Sequence, residues 1–153
     1  MSVYQLKISL VQSNPTVGGI DLNSECVLTK ANEAEKKGSD LIVFPEMFLS
    51  GYQPLDLVNK RSFLEKVSIK VQQIAQKTKR LGVRILIGGP WLLEGKIYNA
   101  FISIHKGVIK IVSKKSHLPN YDVFDEKRFF VAGDELELLD LGILKIGFPI
   151  CED

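Results

Sequence analysis

With 153 residues, 45% of them hydrophobic and 25% charged, the chain is long enough for one domain with a buried core and too apolar for a disordered tail. Twenty Lys and Arg against 18 Asp and Glu leave a formal charge of +2, with the basic residues scattered, which argues against a nucleic-acid partner. No apolar run approaches the roughly 20 residues of a membrane span, and the opening MSVYQLKISL lacks the features of a signal peptide, so a cytoplasmic protein is expected.

From Tyr4 to Gln12, Leu6, Ile8 and Leu10 alternate with Lys7 and Ser9, which predicts a strand with one buried face. Asn14-Pro15 and Gly18-Gly19 break it. A helix follows over Asp21 to Lys37, with Leu22, Val27, Ala31 and Ala34 on its apolar side and Gly38 at its end. The run Leu41-Ile42-Val43-Phe44, stopped by Pro45, predicts a strand buried on both faces. Ser62 is the expected cap of a second helix, along which Leu64, Val67, Val71 and Ile74 repeat at intervals of three and four. A third buried strand is expected from Val83 to Gly88.

Two successive strand-helix-strand units imply an α/β sheet with short crossovers. Past Gly89 the pattern changes: Ile97 to His105 and Val108 to Ser113, around Lys106-Gly107, predict a β-hairpin. The stretch from Lys114 to Asp134 has no clean period and reads as a long loop, a place where function often sits. Glu137 to Asp140 and Ile143 to Ile150 close the chain as a second antiparallel pair around Leu141-Gly142.

Glu46, Lys115 and Cys151 stand out because each is a reactive or charged residue just after an expected strand. Strand ends share a rim of a sheet, so Glu46 and Cys151 can face one crevice. A thiol with a free pKa of about 8.5 needs a base or a neighbouring cation to react at neutral pH, and Glu46 and Lys115 supply one each. Attack on an amide carbonyl then builds an oxyanion that Lys115 and backbone N–H groups can stabilise. Plain structural readings compete: a core residue for Cys151, a loop carboxylate or helix cap for Glu46, a solvated hairpin residue for Lys115. Cys26 reads as helix packing and His117 as a loop-shaping residue. His105 and His117 have no partners at metal-ligand spacing, and Gly88-Gly89-Pro90 lacks the pattern of a phosphate loop.

The blocks Phe44-Pro45-Glu46, Lys115-Ser116-His117-Leu118-Pro119 and Cys151-Glu152-Asp153, in that order, resemble the nitrilase (carbon-nitrogen hydrolase) superfamily. Two further stretches, Ser50 to Leu57 and Leu118 to Phe130, are similar to the glutamine amidotransferase domains of glutamine-dependent NAD synthetases. The resemblance implies part of an α-β-β-α sandwich with Glu46 as general base, Lys115 as stabiliser of the tetrahedral intermediate and Cys151 as nucleophile. It implies glutamine as substrate, with Tyr52, Tyr121, Phe124 and Glu126 around it, and a carboxylate such as Glu126 suits an α-ammonium group. An ion pair of Glu126 with Lys127 or Arg128 is the alternative.

No cofactor is expected in this domain. ATP and Mg2+ are expected at a separate synthetase domain that receives the ammonia and amidates deamido-NAD, and a homo-oligomer is expected of the full-length protein. The family pattern continues beyond Asp153, so residues 1–153 are expected to be a partial hydrolase domain, either a fragment or a truncated product, inactive alone. A terminal carboxylate beside Cys151 is expected to oppose the thiolate. Pro149 departs from the small aliphatic residue usual in the family and removes a ladder hydrogen bond before the nucleophile. A stand-alone amidase or carbamoylase, and an inactive remnant, are the competing readings.

Overall fold

The computed structural model describes residues 5–134, 137–142 and 144–153; Tyr4 and Ile143, assigned above to strands, lie outside the described residues. The elements in chain order are β1 (Ile8–Leu10), α1 (Ile20–Lys36), β2 (Leu41–Val43), α2 (Arg61–Thr78), β3 (Arg84–Leu93), β4 (Lys96–His105), β5 (Val108–Lys114), β6 (Leu139–Asp140) and β7 (Lys145–Ile146). Short 3-10 turns occupy Leu55–Asn59 and Glu126–Arg128. Among the described residues β1 to β5 form one sheet in sequence order, with β1, β2 and β3 parallel and β3, β4 and β5 antiparallel. The parallel half comes from the two strand-helix-strand units that the periodicity predicts.

Both helices pack on one face of the sheet. Val27, Ala31 and Ala34 of α1 and Val67, Val71 and Ile74 of α2 meet Ile42, Ile85, Ile87, Ile102 and Ile104 in the main core. Burying each large aliphatic side chain contributes about 1.5–3 kcal/mol, so the α2 stripe alone explains why this segment is helical in place. The alternate residues Leu41, Leu86, Phe101 and Val112 face the other way, where Leu139, Ile146, Phe148 and Ile150 cover them. β3 is therefore buried on both faces, as its Ile-rich run requires.

Several expectations are corrected. In β1, Ile8 and Leu10 are 46% and 74% exposed. They share a face with Leu41 and Val43 of β2, but the segment covering that face does not extend over this edge strand. Ser9 points to the helix side and bonds Ser39 across 2.7 Å. Leu22 is exposed, and Ile20, Asn23 and Ser24 take the buried stripe of α1 in its place. Ser62 lies inside α2, which starts where the preceding 3-10 turn reverses at extended Lys60 and makes no side-chain cap. β3 runs on through Gly88-Gly89-Pro90 to Leu93, forming a hairpin with β4 that the sequence reading misses. Its turn, Glu94-Gly95, has φ of 50° and 77°, nearly the same as Lys106-Gly107 between β4 and β5 at 50° and 83°. Both suit the left-handed two-residue turns that match strand twist, with glycine second. The closing strand pair exists but shrinks to two residues each.

The two helices are also clamped electrostatically: the exposed Asp21 carboxylate contacts Lys66 Nζ at 2.6 Å and Lys70 Nζ at 2.8 Å. Hydrogen bonds from Lys66 and Lys70 lower the Asp21 pKa from 3.8 to about 2. A carboxylate whose folded pKa is depressed adds stability above its unfolded pKa and loses it as pH falls through the folded value. Asp21→Asn is therefore expected to lower the thermal midpoint slightly at pH 7, with the difference from wild type closing between about pH 4 and pH 2 in a melting series.

Candidate active site

Lys115 follows β5 directly, and its N–H donates to the Asn99 carbonyl at 2.8 Å, extending the β4–β5 ladder by one bond. The side chain that begins there is wholly buried. Its ammonium donates to Glu46 Oε1 and to Glu126 Oε1, each at 2.9 Å. Burial opposes the charge on Lys115, but the Glu126 and Glu46 hydrogen bonds outweigh it, and its pKa is raised. The ammonium is thus a permanent cation with two of its three N–H donors engaged.

Glu46 sits just past β2, in a chain reversal that lies against β3. The reversal fits because position 88 has no side chain: a Cβ on Gly88 would lie 2.6 Å from Met47 N, 2.7 Å from Pro45 O and 2.8 Å from Glu46 Cα. Glu46 Oε1 also accepts a 2.6 Å bond from Asn99 Nδ2. Glu126 is held from the other side, on the Glu126–Arg128 turn, by its N–H donating to the Pro119 carbonyl. Burial raises the Glu126 pKa, and the Lys115 bond pulls it back.

Cys151 is exposed and adopts φ of 55° in a turn after Ile150. A left-handed conformation in a non-glycine residue costs on the order of 1–3 kcal/mol and persists only where surrounding bonds impose it. Here the Asp153 carboxylate imposes it: Oδ2 accepts from Ile150 N at 3.2 Å, and Oδ1 accepts from Ser116 N and His117 N at 2.8 Å each. One carboxylate therefore straps the cysteine turn to the segment just after Lys115. Burial pushes the Cys151 thiol up, Lys115 pulls it down, and Glu46, Glu152 and Glu126 push it up again, so all the charges of the cluster act on this sulfur.

The structure thus places Glu46 and Lys115 in direct contact and Cys151 within their field. The plain readings of Glu46 and Lys115 as solvated groups do not hold. Glu126 is not in a surface ion pair with Lys127 or Arg128; it is 5% exposed and bonded to Lys115. Tyr52 and Glu126 line one narrow cleft, together with Met47, Asn99, Phe129 and Phe130. Tyr121 lines a neighbouring open depression with His117 and Glu152, donates to the Glu152 carboxylate, and meets Phe124 edge-on at 5.6 Å. Of the four expected substrate contacts, Tyr52 and Glu126 line one hollow and Tyr121 another, and Phe124 packs on Tyr121. Cys26 packs against the helix-side core. Among the described residues no group of three or more His, Cys, Asp or Glu is arranged to hold a metal ion.

Asn99 and Asp153 carry no role in the sequence reading. A buried amide inside the apolar run Ile97 to Ile104 is the signal that marks Asn99 in hindsight. Among the described residues, the buried side-chain polar atoms without a hydrogen-bond partner are Asn99 Oδ1, Glu126 Oε2 and Ser113 Oγ, and the first two line the cleft. Each such atom costs about 1–3 kcal/mol, a sum that a binding site tolerates because a ligand can satisfy it.

Removing the cation isolates two carboxylates. Lys115→Met is expected to destabilise the fold by about 3–5 kcal/mol at pH 7 in urea unfolding. The loss should shrink at acid pH, where Glu126, already raised by burial, takes a proton. Gly88→Ala, which drives a Cβ into the Glu46 backbone, is expected to cost about 1–3 kcal/mol in the same assay.

The chain matches the carbon-nitrogen hydrolase family over residues 7–153. It is 44% identical over 149 residues to the glutamine-dependent NAD(+) synthetase of Thermotoga maritima and 40% identical over 148 residues to that of Aquifex aeolicus. Each alignment covers 97% of this chain, which spans about 26% of the relatives' length. The structure of the glutamine-dependent NAD+ synthetase of Acinetobacter baumannii in complex with ADP superposes with a TM-score of 0.84 at 33% identity, over 97% of this chain and 28% of that one. An amidase of the nitrilase superfamily from Nesterenkonia shares the fold, with a TM-score of 0.80 at 21% identity over 93% of this chain and 54% of its own. The helix layer and five-stranded sheet are part of that α/β architecture, and the chain belongs to the carbon-nitrogen hydrolase family.

Proposed function

We propose that this chain carries the glutamine-hydrolysing site of a glutamine-dependent NAD synthetase, with Glu46 as general base, Lys115 as oxyanion donor and Cys151 as nucleophile. The observation that carries the reading is the buried Lys115 ammonium, bonded to Glu46 on one side and Glu126 on the other, whose field reaches Cys151. The similarity to NAD synthetases over 97% of the chain supports glutamine as the amide.

Charge counting decides how the thiol is activated. With one ammonium and two carboxylates the cluster is already net negative, so losing the thiol proton to solvent would add a second uncompensated charge. Passing it to Glu46 leaves the total unchanged. The raised Cys151 thiol agrees with deprotonation on attack rather than a standing thiolate. Sγ then bonds the side-chain carbonyl carbon of glutamine, and the third Lys115 N–H is available to the oxyanion. Glu46 returns the proton to the leaving nitrogen, ammonia departs, and a thioester remains on Cys151. Water, deprotonated by Glu46, attacks the thioester, and glutamate leaves as the proton returns to sulfur.

In this reading Glu126 serves twice. Oε1 fixes Lys115, while Oε2, buried and unpartnered on the cleft wall, is the acceptor for the substrate's α-ammonium. Tyr52, Tyr121 and Phe124 supply the aromatic border. The domain over residues 1–153 is the hydrolase part of a longer cytoplasmic, homo-oligomeric enzyme. Its synthetase part binds ATP and Mg2+. No helix among the described residues is long and apolar enough to cross a membrane.

Cys151→Ala in the whole synthetase is expected to abolish glutamate release from glutamine while leaving ammonia-driven NAD formation near wild type, since only the ammonia source is lost. Coupled assays with glutamine and with ammonium chloride measure the two rates. Equal loss of both would refute the division of labour.

A further inference from the structure

We infer that Asn99 is a positioning residue that makes Glu46 a one-sided base, able to take a proton on Oε2 only. The inference rests on the role of Glu46 proposed above, and three observations on one residue carry it. The Asn99 carbonyl accepts the Lys115 N–H at 2.8 Å, which sets where the Lys115 side chain begins. Asn99 Nδ2 donates to Glu46 Oε1 at 2.6 Å, the same oxygen that receives Lys115 Nζ at 2.9 Å. The residue is 1% exposed, and its Oδ1 is buried with no partner.

Two donors on Oε1 occupy the lone pairs that a proton would need, and an amide N–H, unlike a hydroxyl, cannot turn round and accept. Oε2 is left as the basic oxygen. The orientation of the amide follows from its neighbours: turned over, Oδ1 would face a carboxylate oxygen at hydrogen-bond distance and repel it. A strand residue thereby sets the position of the cation with its backbone and the usable face of the base with its side chain. A leucine here would be cheaper for the core, since the amide leaves an acceptor unsatisfied. The charged and titratable groups around Glu46 are Lys115, Glu126, Tyr52 and Cys151, so Asn99 is the uncharged donor in the cluster.

The test is the pH dependence of Cys151 alkylation by iodoacetamide in the whole protein, followed by peptide mass mapping so that Cys26 is counted separately. Asn99→Leu keeps the branch at Cγ and removes the donor; Asn99→Asp keeps the shape and adds a negative charge. Losing a donor to a carboxylate makes its protonation easier, and a like charge more so. The acidic limb of the alkylation profile is therefore expected to move to higher pH in Asn99→Leu and further in Asn99→Asp. The glutamine-hydrolysis rate at saturation should fall about 10-fold or more while KM changes less than about threefold. Far-ultraviolet circular dichroism selects folded variants, and Asn99→Asp serves if Asn99→Leu does not fold. Superimposable profiles in folded variants would overturn the inference, because packing alone does not move a titration. Wild-type protein that alkylates with a shifted limb in the variants but hydrolyses no glutamine would defeat the proposed substrate and leave Asn99 in its role.

Discussion

A cation with no access to water must be surrounded by groups that want it, and the rest of this structure is arranged to provide them. Lys115 is the wholly buried ammonium, and its two carboxylate partners come from segments 69 and 11 residues away in sequence. Desolvating a charge costs several kcal/mol, recovered only when the partners hold hydrogen-bond geometry. The β4–β5 register sets the start of the side chain, the missing Cβ of Gly88 lets Glu46 reach it, and the Glu126–Arg128 turn brings the second carboxylate. A slip of one residue in β5 would turn Lys115 to the opposite face of the sheet and leave both acids unpaired.

The same constraint explains which parts of the fold were legible in the sequence. The periods of α2 and the unbroken Leu41 to Phe44 run announce elements whose burial is decided by one dense core. The Lys106-Gly107 hairpin was readable because a left-handed turn with glycine second has few alternatives. β1 misled because alternation tells only that two faces differ; which face is covered depends on what lies above, and over Ile8 and Leu10 little does. The second hairpin was hidden by Gly88-Gly89-Pro90, which reads as a break, yet position 88 must be glycine for Glu46 to pack over it.

In the site, Glu46 and Lys115 were legible as charged residues following strands, whereas Cys151 lies in a turn well past β7 and the bonding of all three was not legible. Glu126 looked like a substrate contact or a surface pair, and only three dimensions show it beneath Lys115. Asn99 and Asp153 were silent because an amide or carboxylate that serves backbone and neighbours leaves no spacing pattern to read. The division is physical. Glu46 and Lys115 sit just past strands of the sheet, while Glu126 and the aromatic residues Tyr52, Tyr121 and Phe124 sit in turns and irregular segments. Loops tolerate exchange better than packed strands do, so the aromatic border can vary while Glu46 and Lys115 stay fixed.

The Asp153 strap differs in kind from the ladder that holds Lys115. Lys115 belongs to the sheet by a backbone bond next to a doubly buried strand, so its position survives until the sheet itself melts. Cys151 is joined to that sheet through one side chain accepting three amide protons. The two halves of the site therefore fall into different cooperative units, and the cheaper opening detaches the thiol alone. Amide hydrogens of Ser116 and His117 would exchange on the timescale of that opening and those of β3 on the timescale of global unfolding, so the protein can release the Cys151 turn, and recover it, without ever losing its fold.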